Sequence, residues 1–207
     1  MGHLDIDEII RYLGQVAKIL HHKPNEALIE LRNIAHVVDK QIPYYDGHIL
    51  RVTEYSVKIG KQLGLSEKDM VTLEAAALLH DLGKIGVDEE LLLKPGKLSK
   101  NEKAEIENHA LRGYYILLGF EELERALEGV RNHHEHYNGS GYPGGVVGKN
   151  ISLFGRIIGI ADAYDAMTSD RPYRKAKTKK AAIKELKKFS GKQFDPEIVK
   201  AFIKVLK

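Results

Sequence analysis

Apolar positions recur along nearly the whole chain at spacings of three and four residues, the mark of helices with one buried face. Ile6, Ile10, Leu13, Ala17 and Leu20 form the first stripe, and Leu28, Leu31, Ala35 and Val38 repeat it beyond a break at Pro24-Asn25. At about two heptads each these segments are short for a coiled coil, so packing onto the main core is their expected use. A homodimer or an upstream sensory domain joined through them is the alternative. A third helix is predicted from Gly47 to Leu63, ending near Gly64. Ser66, with Asp69 three residues on, reads as a capping box for a helix that reaches His80 or a little beyond. Leu91 to Leu93 predict a short helical turn, and Ser99 with Glu102 caps a helix running to about Leu118. Another is predicted from Glu121 to His134, followed by a Gly- and Pro-rich loop from Asn138 to Lys149. Ile151 to Ala166 is apolar enough for a buried central helix, and the last two helices start near Thr178 and at Asp195-Pro196. No run alternates as a strand would. The predicted fold is an all-α bundle, with residues 1–40 as an N-terminal helical segment or linker and 41–207 as the main domain.

Bulk properties narrow this picture only a little. The 207 residues suit one large domain, or one with a small appendage, and 43% hydrophobic content supplies a core. The absence of cysteine excludes disulfides, thiolate zinc sites and cysteine nucleophiles. With no stretch of roughly 20 apolar residues and no secretory pattern, a cytoplasmic location without a membrane span is expected. The net charge of +3 hides an asymmetry: from Arg171 onward there are thirteen Lys/Arg against three Asp/Glu, whereas acidic residues prevail before it. This reads first as a solvated Lys-rich face, and no nucleic-acid polymer is expected as a partner.

The chemistry lies in the neighbours of the ten histidines. His80-Asp81 ends the apolar run from Leu73 to Leu79. A buried imidazole and carboxylate must both be satisfied, and a divalent cation is one solution. Taken alone, the pair reads sooner as a hydrogen-bonded core pair. His133-His134 stands just before the glycine-rich loop; on a helix, adjacent side chains diverge by about 100°, an arrangement suited to two nearby ions. Asp162 is embedded in the apolar run Ile157 to Ala161 and needs a partner there. His48 and His109 are unremarkable singly. Together, His48, His80, Asp81, His109, His133, His134 and Asp162 form the kind of inward-facing donor set with which helical bundles build metal centres.

At this point a resemblance becomes specific. His80-Asp81-Leu82-Gly83-Lys84-Ile85-Gly86, His133-His134-Glu135 and Gly141-Tyr142-Pro143 resemble the signatures of the HD-GYP family, as do Leu92 to Leu98, Ala161 to Arg174 and Phe194-Asp195-Pro196. The resemblance covers about Tyr44 to the C-terminus. It implies a helical HD bundle and hydrolysis of cyclic di-GMP to linear pGpG by a metal-activated water, leaving open whether cleavage continues to GMP. It makes His48, His80, Asp81, His109, His133, His134 and Asp162 metal ligands, with Asp81 bridging two divalent ions, iron or manganese first and nickel, cobalt or zinc also compatible. His80, Asp81 and Lys84 are the implied catalytic residues. Lys84, Tyr142, Asp165, Arg171 and Arg174 are the implied substrate contacts. Tyr44 stands where some members carry a glutamate for a third metal, so two metals are expected. Ala110 and Asn138 also depart from the family's usual proline and aspartate. The competing readings are a catalytically weak cyclic-dinucleotide-binding or protein-interaction signalling module, and an HD phosphohydrolase acting on another nucleotide.

Overall fold

The computed structural model describes residues 6–40, 47–170 and 175–207. Among these there is no strand, only isolated bridges at Asn138–Val147 and Ser190–Phe194. The helices are α1 (Ile6–Ile19), α2 (Pro24–Lys40), α3 (His48–Leu63), α4 (Glu67–Leu79), α5 (Glu89–Leu92), α6 (Lys100–Glu107), α7 (His109–Leu117), α8 (Glu124–Asn132), α9 (Leu153–Thr168), α10 (Lys179–Lys188) and α11 (Pro196–Val205). The all-α prediction holds. Caps explain most of the starts. Ser99 and Glu102 make the full reciprocal box, Ser152 and Thr178 cap α9 and α10, and Asp195 precedes Pro196 at the first turn of α11. At Ser66 only half of the box forms, because the Asp69 carboxylate accepts from the Ser66 hydroxyl instead of the backbone N–H.

The helix α4 organises the rest. Its C-terminal half is apolar almost all round, and such a stretch is buried: Leu73 and Ala75 through Leu79 are all buried. One flank joins a core built from α1, α2, α7 and α8, with Leu13, Leu31, Leu78, Leu79 and Leu117 fully enclosed. The other joins a core built from α3, α9, α10 and α11, where Tyr55, Tyr164 and Phe202 meet edge to face with ring centroids 5.1–5.7 Å apart. The C-terminal end of α4 emerges between the two cores. On α9, Arg156 pairs with the α11 cap Asp195 at 2.5 Å and ties that end of the second core together.

Three elements differ from the sequence reading. The stripe of α1 is centred on Ile9, Leu13, Val16 and Leu20, so Ile6 and Ile10 are only half-buried. The helix expected from Ser99 to Leu118 breaks at Asn108, where the His109 ring turns back onto the Ile106 carbonyl at 2.7 Å. The helix expected from Glu121 to His134 begins as a 3-10 turn and stops at Asn132.

Because α1 and α2 share the first core, Leu31→Ala is expected to cost about 2–5 kcal/mol. In urea the whole molecule should still unfold in one transition, at a lower midpoint. A main transition left unchanged would mean that these helices are a separate appendage.

Candidate metal centre

Each of the seven donors predicted from sequence is delivered by a helix end or a helix interior. His48 is the first residue of α3; His80 closes α4 and Asp81 follows it; His109 opens α7; His133 closes α8 and His134 follows; Asp162 lies within α9. His48, His80, Asp81, His109 and His133 are buried, while His134 and Asp162 keep some exposure.

The structure gathers them into two adjoining groups. Donor atoms of Asp81, His109, His133 and His134 all lie within 4.8 Å of one another, as do those of His48, His80 and Asp162. Asp81 faces both ways. Its Oδ2 is 3.7 Å from His48 Nε2 and 3.5 Å from His80 Nε2, while its Oδ1 is 3.3 Å from His109 Nε2. His48 Nε2 also lies 3.4 Å from Asp162 Oδ1.

The hydrogen bonds on the outer edge of each ring set its tautomer. His80, His109 and His133 each direct Nδ1 at the backbone carbonyl three residues earlier, at 2.7, 2.7 and 2.6 Å. A carbonyl only accepts, so Nδ1 carries the proton and Nε2 turns a lone pair inward. His48 does the same with the Asp165 carboxylate at 2.7 Å, the carboxylate–imidazole pairing that orients metal ligands. As a result His109 Nε2 and His133 Nε2 oppose lone pairs at 3.2 Å. Burial first, then neighbouring positive groups, lowers the affinity of both rings for a proton, to about 4 for His109 and well below the ordinary histidine range for His133. His80 Nε2 and Asp81 Oδ1 are buried without a hydrogen-bond partner. Opposed lone pairs and orphaned acceptors around a carboxylate fit divalent cations, and nitrogen and oxygen donors without thiolate suit iron, manganese, cobalt, nickel or zinc.

The sequence model of the HD domain family matches residues 32–198. The chain belongs to the HD domain family. Its HD-domain relatives include the cyclic di-GMP phosphodiesterase response regulator RpfG of Xanthomonas campestris, 41% identical over 80% of this chain and 45% of the relative. A cyclic di-GMP phosphodiesterase of Thermotoga maritima is 40% identical over 77% of this chain and 44% of its own length. The 3'3'-cGAMP-specific phosphodiesterase 3 of Vibrio cholerae is 40% identical over 82% and 37%. The chain thus spans less than half the length of these curated relatives. Among solved structures, a cyclic GMP-AMP specific phosphodiesterase of V. cholerae superposes with a TM-score of 0.65 at 21% identity, covering 85% of this chain and 48% of that one. A protein of the HDGYP type from Bdellovibrio bacteriovorus gives 0.63 at 19% identity, covering 97% and 71%. The resemblance carried by the His-Asp and Gly-Tyr-Pro motifs is borne out, and these two structures share the fold.

In this HD domain several side chains make contacts that the sequence reading did not name. Asp165, read as a substrate contact, is buried with its oxygens taken by His48, by Arg51 (Nε at 2.5 Å, Nη2 at 3.2 Å) and by the Ser169 hydroxyl. Burial alone would raise its pKa, but the bonds from His48 and Arg51 hold it below the usual carboxylate value. His133 and His134 do not diverge on a helix. The helix ends at Asn132, their rings lie 4.0 Å apart, and both donors enter the same group. Lys84, buried on the 3-10 turn Leu82–Gly86, donates to Asp81 Oδ2. Burial would push the Asp81 carboxyl up, but Lys84 and the surrounding imidazoles hold it well down. Tyr142 stacks on His134, with centroids 4.7 Å apart and planes at 29°. Tyr44, Arg171 and Arg174 lie outside the described residues.

Sequence reasoning missed Arg51 and the work of Glu135. Arg51 is three residues after His48, hence on the same helix face, and that spacing was the available signal. The Glu135 carboxylate accepts from Gly144 N at 2.6 Å and Val146 N at 3.0 Å, clasping the loop that carries Tyr142. Asn138, which replaces the usual aspartate, still accepts from Ser140 N at 3.1 Å and from its hydroxyl at 2.8 Å. Two glycines allow backbones to touch. A Cβ on Gly83 would lie 2.0 Å from the His109 carbonyl oxygen, and one on Gly159 would lie 2.5 Å from that of His133.

Gly83→Ala is therefore expected to push α7 away, costing at least about 1–3 kcal/mol and weakening metal binding. The urea midpoint and metal content measure the two effects, and wild-type values for both would contradict the packing argument. The metal-free protein should also be acid-labile. His80, His109 and His133 are held below the ordinary histidine value in the fold. The unfolded chain therefore binds more protons as the pH falls through about 6.5, and stability drops until His109 itself protonates near 4. Burial holds His134 well down too, and His48, held above its ordinary value by Asp165 and the nearby carboxylates despite its burial, opposes this as one ring against four. After chelator treatment the Tm should fall between pH 7 and pH 5; a flat profile would refute the lowered proton affinity of these buried rings.

Proposed function

We propose that this HD domain is a metal-dependent phosphodiesterase that hydrolyses cyclic di-GMP to linear pGpG. The observation that carries this reading is Asp81, whose two oxygens each face a separate cluster of donors. His48, His80 and Asp162 would hold one cation, His109, His133 and His134 the other, and Asp81 would be shared. Two divalent ions would supply Lewis acidity to the phosphodiester and lower the pKa of an attacking water. Iron or manganese is the first expectation, in line with the family resemblance.

The remaining residues prepare the site. Outer hydrogen bonds place the Nδ1 proton of His48, His80, His109 and His133 and aim Nε2 of each ring inward. Lys84 offsets the negative charge of Asp81 and would offer an ammonium to a phosphoryl oxygen. Tyr142, held by the loop that Glu135 clasps, walls the His134 side and offers an aromatic face to a base. Arg171 and Arg174 are carried over from the family as phosphate contacts. Residues 41–207 would carry the activity, with α1 and α2 completing the core on which the centre rests.

One observation favours a second substrate. Relatives named as 3'3'-cGAMP-specific phosphodiesterases are as similar, at 40% identity, as some named for cyclic di-GMP. The test is metal analysis of anaerobically purified protein, followed by a product assay on cyclic di-GMP and 3'3'-cGAMP at matched metal loading. Wild-type protein should carry two ions and release pGpG. His80→Ala and Asp81→Ala should lose at least about 100-fold in turnover, since outer partners of metal ligands alone are worth 10–100-fold. Normal turnover in both variants would end the mechanism, and binding without turnover across iron, manganese, nickel and cobalt would favour a signalling module.

A further inference from the structure

The first turn of α3 carries His48, and the residue at its N-cap position supplies no side-chain cap. Gly47 precedes it with φ at 67° and offers no side chain. The first N–H groups of a helix need an acceptor, and here it comes from another helix. Asp39, next to the last residue of α2, is buried at 4% exposure, and its Oδ1 and Oδ2 lie 3.3 and 3.2 Å from the Ile49 N–H. A carboxylate in this place also meets the positive end of the α3 dipole. His48 is thereby held twice, its backbone through Asp39 from α2 and its ring through Asp165 from α9.

We propose that Asp39 is a positioning residue for the metal centre: by capping α3 across the helix boundary it sets the place of His48, so that full loading of the His48–His80–Asp162 group requires α2 to be seated. The inference rests on the two-cation reading above and adds a route into it. The hydrogen bond that Asp39 accepts comes from the backbone beside His48, at Ile49. Whatever moves the C-terminal end of α2 moves one ligand of one ion, while the Asp81–His109–His133–His134 group keeps its own supports. The N-terminal helix pair thus becomes a control element for one of the two metal positions.

The experiment is a Mn²⁺ titration of the full chain, read by competition with a chelating dye, beside thermal unfolding of the metal-free protein. Wild-type protein should bind two Mn²⁺. Asp39→Ala should weaken one of them by about 10–100-fold, the scale for outer partners of metal ligands, and leave the other unchanged. Asp39→Asn should stay within about threefold of wild type, since asparagine caps as well as aspartate. Thr178→Ala, which removes the cap of the distant α10, should lower the Tm and leave both affinities intact. Equal wild-type affinities in Asp39→Ala would overturn the inference, as would loss of the same ion in Thr178→Ala. Should Asp39→Ala not fold, Asp39→Glu, which lengthens the arm by one methylene, takes its place: loss of one ion supports the inference and retention of both overturns it. Wild-type protein that binds no Mn²⁺ would overturn the metal reading itself, and this inference with it.

Discussion

The Asp81 carboxylate lies where α4 ends, enclosed by three imidazoles and one ammonium, with one oxygen toward each donor group. A buried charge of this kind is tolerable only with close partners of opposite sign, and the surroundings are arranged around that requirement. Lys84 answers it within one turn of chain. Most of the imidazoles answer it poorly as cations, because burial lowers the proton affinity of His80, His109 and His133, whereas His48, beside Asp165, is held above its ordinary value. Those three present lone pairs instead, which makes the region rich in electron donors and poor in positive charge. The proposed pair of cations resolves that imbalance.

Holding such a cluster together needs support from outside it. His80, His109 and His133 are fixed by their own backbone carbonyls, three residues back, a bond each of the three makes without help from the rest of the fold. The backbones are then brought together at glycines, with Gly83 against His109 and Gly159 against His133. His48 is the exception, since its ring is fixed by Asp165, far along the chain. Its position depends on tertiary structure to a degree that the other rings do not share.

This division also explains what could be read in advance. Short-range features were legible: the caps at Ser99, Thr178 and Asp195, the apolar α4, and the His-Asp and His-His pairs with their neighbours. His80-Asp81, His133-His134 and Asp162 stand out locally, whereas His48 and His109 entered only with the whole set and the family resemblance, and the structure brings all seven into two adjoining groups. The pairing of Arg51 with Asp165 spans 114 residues, and the capping of α3 by Asp39 joins two helices. No local pattern announces either. The break at Asn108 and the early end of α8 were hidden for a related reason. At both places a histidine ring takes a carbonyl three residues back, and helix periodicity does not register that competition.

The helix α4 belongs to both hydrophobic cores and ends at the cluster. A molecule built from two lobes would ordinarily be able to loosen one while the other stays intact. Here the shared rod leaves no seam along which the halves can part independently. Loosening either core therefore disturbs the packing of the one helix that ends at His80 and leads into Asp81.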